Sequence, residues 1–150
     1  MSEESTQSPI LISEIHLQNL LSFGPDAKPI PLGPLNVLIG PNGSGKSNLI
    51  EAIGLLKALP MGDLRKFFSQ AGGVEEWIWK GERLKESPIL GMDRVAKIRT
   101  LILNDRFGNI AHKLWFRSNR GSFEVDGEAI GQLSGEKENS FLFRGEEFGS

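Results

Sequence analysis

Residues 40 to 47 read Gly40-Pro41-Asn42-Gly43-Ser44-Gly45-Lys46-Ser47, which satisfies the pattern G-x-x-x-x-G-K-[ST]. The chemistry such a stretch can perform is the capture of a polyphosphate. A triphosphate must shed much of its water on binding, so the protein has to offer many donors at short range. Backbone N–H groups serve if no Cβ blocks the approach, and glycine also reaches the positive φ values that turn successive amides toward one point. The ammonium of Lys46 is expected at the β- and γ-phosphates. The hydroxyl of Ser47 is expected as one ligand of Mg²⁺, a hard ion that prefers oxygen.

Such a loop works only if something holds it, and the flanking sequence supplies two candidates. Leu35, Val37, Leu38 and Ile39 form a short, nearly continuous apolar run, which predicts a strand buried on both faces. Downstream, a helix is predicted to start near Lys46, with Leu49, Ile50, Ile53 and Leu56 on its buried face until Pro60 stops the pattern. The amides at the head of that helix have no partner within it and carry partial positive charge, which suits an anion. By composition alone the four fixed motif positions recur in roughly one chain of this length in a hundred, so the strand, loop, helix context gives the motif its weight.

Elsewhere the sequence predicts mostly strands. Residues 1 to 9 are polar and rich in Ser and Glu, a disordered tail. Leu11, Ile15 and Leu17 alternate with Glu14, His16 and Gln18 as in a half-buried strand, and Ile30 to Leu32 forms a short edge partner beyond a turn at residues 24 to 29. Asp63 is a candidate N-cap for a short helix with Leu64, Phe67, Phe68 and Ala71 on one face, closed by Gly72-Gly73. Val74 to Trp79 is predicted as a strand, with a polar connection from Lys80 to Gly91. Both aromatic groups read as core rather than as a platform for an adenine.

An antiparallel hairpin is predicted from Ala96 to Ile102 and from Ile110 to Phe116, with Ala96, Ile98, Thr100 and Ile102 on one face and Lys97 and Arg99 on the other. In the second arm Ile110, Leu114 and Phe116 oppose Lys113, Trp115 and Arg117. The face carrying Lys97, Arg99, Lys113 and Arg117 could meet a nucleic-acid backbone, although such faces are usually only solvated. Ser122 to Val125, a turn at Asp126-Gly127, and Phe141 to Arg144 complete the prediction. Leu133-Ser134-Gly135-Glu136 resembles a transporter-type signature loop only superficially, since no helix pattern follows it.

The 150 residues suffice for one domain with its own core. With no cysteine, disulfides, thiol catalysis and cysteine-built zinc sites are excluded, and His16 and His112 are isolated, as strand-face residues are. A net charge of −2 supplies no bulk attraction to nucleic acid, so a DNA contact would need a local patch. The chain has neither a membrane-length apolar run nor a signal core, so a cytoplasmic location without membrane contact is expected.

The stretches ILISEIHLQNLLSF and LNVLIGPNGSGKSNLIEAI resemble the N-terminal lobe of the RecF/SMC-like ATPases, ABC-type heads found in DNA repair, chromosome maintenance and defence. The likeness spans Ile10 to Leu59 and is densest at Gly40 to Ala52, where Asn42, Asn48 and Glu51 also agree with the family's usual GPNGSGKSNLLEAI. Leu21 departs from it, standing where many relatives carry Lys or Arg in an N-F-[KR]-S-F stretch. The resemblance implies an α/β P-loop NTPase fold: an N-terminal lobe with a mixed sheet and antiparallel β-hairpins, a core over residues 10 to 60 and further elements over 61 to 150. It implies ATP and Mg²⁺ as ligands, contacts from Gly40 through Asn48, and a homodimer of heads. It also implies a composite active site with a glutamine, an Asp-Glu pair after an apolar strand, and a signature loop from a second head. None of these three is identifiable here, so the chain is expected to be the first part of a longer ATPase and to hydrolyse little by itself.

Two other classes stay open. A small P-loop GTPase or kinase would share the loop, but the guanine-reading N-K-x-D motif is absent, and antiparallel strands stand where parallel βα units should alternate. In the third class, nucleotide would staple a scaffold or dimer together without being hydrolysed.

Overall fold

The computed structural model describes residues 11–62, 64–81, 95–104, 108–134 and 137–145. The predicted tail, Asp63, most of the Lys80–Gly91 connection, and Gly135 with Glu136 lie outside them. Strands β1 (Leu11–Gln18), β2 (Ile30–Pro31), β3 (Ala96–Leu103), β4 (Ile110–Asn119), β5 (Ser122–Ser134) and β6 (Lys137–Gly145) make one sheet in the order β2-β1-β3-β4-β5-β6. Every pairing is antiparallel. The expected mixed sheet is therefore not formed by the described strands.

The alternation read in β3 and β4 is the alternation observed, and in β1 it holds from Glu14 to Gln18. A bulge between Ile12 and Glu14 shifts the register, so Leu11 pairs with Leu103 and lies on the face opposite Ile15 and Leu17. Ile98 lies opposite Leu114 and Ala96 opposite Phe116, so one face of the hairpin is aliphatic and aromatic. That face shares a single buried cluster with Ile15 and Leu17 of β1, with Leu49, Ala52 and Leu55 of helix α1 (Lys46–Ala58), and with Phe68 of helix α2 (Leu64–Gln70). The core thus clamps α1 to the sheet, which fixes the glycine-rich loop of residues 40–47 at the helix head.

Four sequence expectations are corrected. First, Leu35 to Ile39 form no strand, and Leu35, Val37 and Ile39 are 84%, 74% and 90% exposed. A strand buried on both faces needs a neighbour on each edge and a layer above and below, and the described sheet ends at β2, which spans only Ile30–Pro31. Second, α1 buries Leu49, Ala52 and Leu55, while Ile50 is 61% exposed and Ile53 is exposed as well. The helix is apolar nearly all round, so periodicity alone does not choose between its faces.

Third, Val74 to Trp79 is not a strand: Val74–Glu76 is a short 3₁₀ turn, and Ile78 makes one isolated bridge to Leu20. The buried residues Val74, Trp77 and Ile78 fall at i, i+3 and i+4, a helical spacing, with Glu75 and Glu76 left in solvent. Fourth, Asp126-Gly127 is not a turn. It lies inside β5, where the register against β4 shifts between Trp115 and Phe116. Asp126 is the extra residue of that bulge, and its side chain, 2% exposed, lies 2.7 Å from Nε of Arg117, off the line of a hydrogen bond.

Candidate functional site

The sequence places an unusual backbone at the head of α1, and the structure gives its form. Gly43 and Gly45 have φ of 81° and 89°, so two of three successive residues adopt the left-handed backbone that glycine reaches without strain. Gly45 stands as the N-cap of α1 and offers no side-chain cap. Leu49 N donates to Gly45 O at 3.0 Å to close the first helical turn, which leaves the amides of Lys46, Ser47 and Asn48 without an intrahelical acceptor. Across the loop, a Cβ on Gly40 would come within 2.9 Å of Ser44 Oγ. A side chain at position 40 would displace the Ser44 hydroxyl, whereas Gly45 is favoured by its φ.

Lys46 folds back over this loop. Its Nζ donates to Gly40 O at 2.8 Å, to Pro41 O at 2.7 Å and to Ser44 Oγ at 3.2 Å. One ammonium is therefore centred over the curl of backbone that the glycines make, on the side facing solvent. Pro41, Asn42, Ser44 and Ser47 are exposed around it, and Asn48 is half-buried in the first turn. All nine residues expected from Gly40 to Asn48 are contiguous in this one feature.

The donor set fits a polyphosphate: uncapped helix amides, glycines at positive φ and a single cation. Among the described residues no group of three or more His, Cys, Asp or Glu is placed to hold a metal. Mg²⁺, which usually keeps several waters and is held largely by phosphate oxygens, would take the exposed Ser47 hydroxyl as its protein ligand.

Residues 35–91, well under half of the chain, match a family model described as AAA domain, putative AbiEii toxin, Type IV TA system. The phosphate-loop segment is similar to a P-loop ATPase-like domain. Neither a curated protein nor a solved structure matches the chain. No helix among the described residues is long and apolar enough to cross a membrane.

Other groups singled out by sequence are engaged elsewhere. Trp77 packs edge-on against Phe67 and Phe68, with ring centroids at 5.1 Å and 5.5 Å. Trp79 lies against Gly24, whose added Cβ would meet the indole at 3.2 Å. His16 Nε2 donates to Ala27 O at 2.6 Å, and His112 Nε2 lies 2.9 Å from Glu128 Oε1. On the basic face, Arg99 donates to Glu14 at 2.8 Å, and Arg117 faces Asp126 and, at 3.7 Å, Glu124.

Ser22 was not singled out by sequence reading, yet it touches the loop: a Cβ on Gly45 would lie 2.8 Å from Ser22 Oγ and 3.9 Å from Phe23 Cζ. The contact crosses from the end of the first strand to the head of α1, so no local periodicity announces it. The only signal is its place in the Asn19 to Phe23 stretch. Gly45→Ala is therefore expected to cost about 1 to 2 kcal/mol from its left-handed φ alone, and to turn the Ser22 hydroxyl away from the loop. Chemical denaturation reads the first effect, and a loss of nucleotide-induced stabilisation reads the second.

Proposed function

We propose that the chain binds Mg-ATP through Gly40 to Asn48 as the nucleotide-binding lobe of a RecF/SMC-like ATPase. The observation that carries this reading is the glycine curl at the uncapped head of α1 with the Lys46 ammonium held over it. The family match over residues 35–91 supports the ATPase class. Phosphoryl transfer to water depends on placed charges and an oriented water, and the resemblance assigns these to an acidic pair and a signature loop outside the Gly40–Asn48 segment. Turnover then requires further groups, an acidic pair from a second lobe and a signature loop from a partner head in a homodimer. A role in defence, DNA repair or chromosome maintenance accords with the resemblance. DNA contact through Lys97, Arg99, Lys113 and Arg117 would have to compete with Glu14 and Asp126 for the two arginines.

The test is calorimetric titration of the chain with ATP and with GTP in the presence of Mg²⁺, followed by a phosphate-release assay. Saturable binding of ATP, no preference for GTP and release no faster than background are expected. A GTP preference would favour the GTPase class. Rapid turnover by these 150 residues would contradict a composite active site.

A further inference from the structure

The turn that leaves β1 carries two residues in the left-handed region, Asn19 at φ 53° and Leu21 at φ 52°. Neither is glycine, so the surrounding structure must impose the shape. It does so from two sides. Leu20 N donates to Phe23 O at 3.0 Å and Phe23 N returns a bond to Leu20 O at 2.8 Å, which leaves Leu21 and Ser22 as a two-residue tip. Leu21 N then donates to Trp77 O at 2.6 Å, and Trp79 N donates to Asn19 O at 3.0 Å. Trp77 is anchored in the core by its aromatic neighbours. The tip is thus fastened to a rigid segment far away in sequence.

This fastening delivers the Ser22 side chain to Gly45. Ser22 is exposed, and its hydroxyl makes no hydrogen bond within the described residues. It stands beside the glycine whose following amides have no intrahelical acceptor. From these juxtapositions we infer that Ser22 is a further ligand-contacting residue, whose hydroxyl donates to a phosphate oxygen of the bound nucleotide. The inference rests on the nucleotide reading above. With Leu21 uncharged, its amide bonded to Trp77 O and its side chain packed against the core, the tip contributes a neutral donor. A neutral donor helps to hold the polyanion without adding charge to the loop.

The experiment compares the unaltered chain with Ser22→Ala and Ser22→Thr. Affinities for Mg-ATP and for Mg-tripolyphosphate are measured by calorimetry, and melting is followed without ligand. A hydrogen bond to a charged group is worth about tenfold or more in affinity. Ser22→Ala is therefore expected to weaken both ligands about tenfold, Ser22→Thr to recover most of the loss, and ligand-free melting to stay unchanged, since the side chain is exposed. If the unaltered chain binds both ligands and Ser22→Ala binds them equally well, Ser22 merely neighbours Gly45 and the inference is overturned. A loss for ATP alone would move the contact to the nucleoside and overturn the phosphate assignment. Failure of the unaltered chain to bind either ligand would instead sink the nucleotide reading, and the Ser22 contact with it.

Discussion

Lys46→Ala is expected to lower the affinity for Mg-ATP by at least about a hundredfold while leaving the melting temperature of the ligand-free chain within about a degree. The ammonium sits over the glycine curl, where Gly40 O and Pro41 O already hold it in place at 2.8 Å and 2.7 Å. Little side-chain freedom remains to be lost when it meets a phosphate, so its charge-assisted bonds, about 1.5 to 3 kcal/mol each, are nearly fully expressed. Its carbonyl partners belong to exposed residues, so water replaces the ammonium there at little cost to folding. Lys46→Arg is expected to rescue poorly, because a planar fork cannot occupy the point where three acceptors converge. Titration calorimetry and melting curves decide the matter. An unchanged dissociation constant would remove the ammonium from the binding scheme.

The largest stability effect is expected from Phe68→Ala, about 3 to 5 kcal/mol against a typical total of about 5 to 15 kcal/mol. Phe68 is 2% exposed. Its ring stacks on Phe123 at 4.7 Å and meets Phe67, Trp77 and Phe116 at 5.7, 5.5 and 5.6 Å. Helix α2 has only seven residues, too few to persist in water unaided, so this ring is what keeps it on the sheet. The loss would travel further: with Trp77 loosened, the carbonyl that holds Leu21 moves, and the Ser22 tip moves with it. Urea denaturation should give a midpoint lowered in proportion. Phe67→Ala, on the half-buried neighbour, should cost visibly less. Equal costs would mean that Phe68 is not the fastening point.

What the sequence made legible follows from the range of each interaction. The glycine turn at the head of α1 was readable because positive φ at Gly43 and Gly45 is a local requirement. Strands β1, β3 and β4 were readable because alternation marks a sheet with one buried face, as Ile98 and Leu114 show against Lys97 and Lys113. Where two local signals conflicted, tertiary context decided. The Trp-Ile-Trp run suggests a strand, yet Val74, Trp77 and Ile78 are buried at helical spacing. Asp126-Gly127 has turn composition, yet a guanidinium across the ladder holds the aspartate inside a long strand. Helix α1 offered two apolar faces, and only the sheet beneath it determined that Leu55 rather than Ile53 is buried. The Ser22 contact is purely tertiary, so no window of sequence contains it.

The bare aliphatic residues before the phosphate loop have a colloidal consequence. From Leu35 to Ile39 the chain presents no charge, with only Asn36 polar, and its side chains lie in water. That is the composition from which cross-β stacks nucleate, given six or seven residues in register. Pro34 and Pro41 flank the stretch, and neither can donate to an intermolecular ladder. They act as gatekeepers, limiting any such ladder to the six residues between them, the shortest length a fibril spine uses.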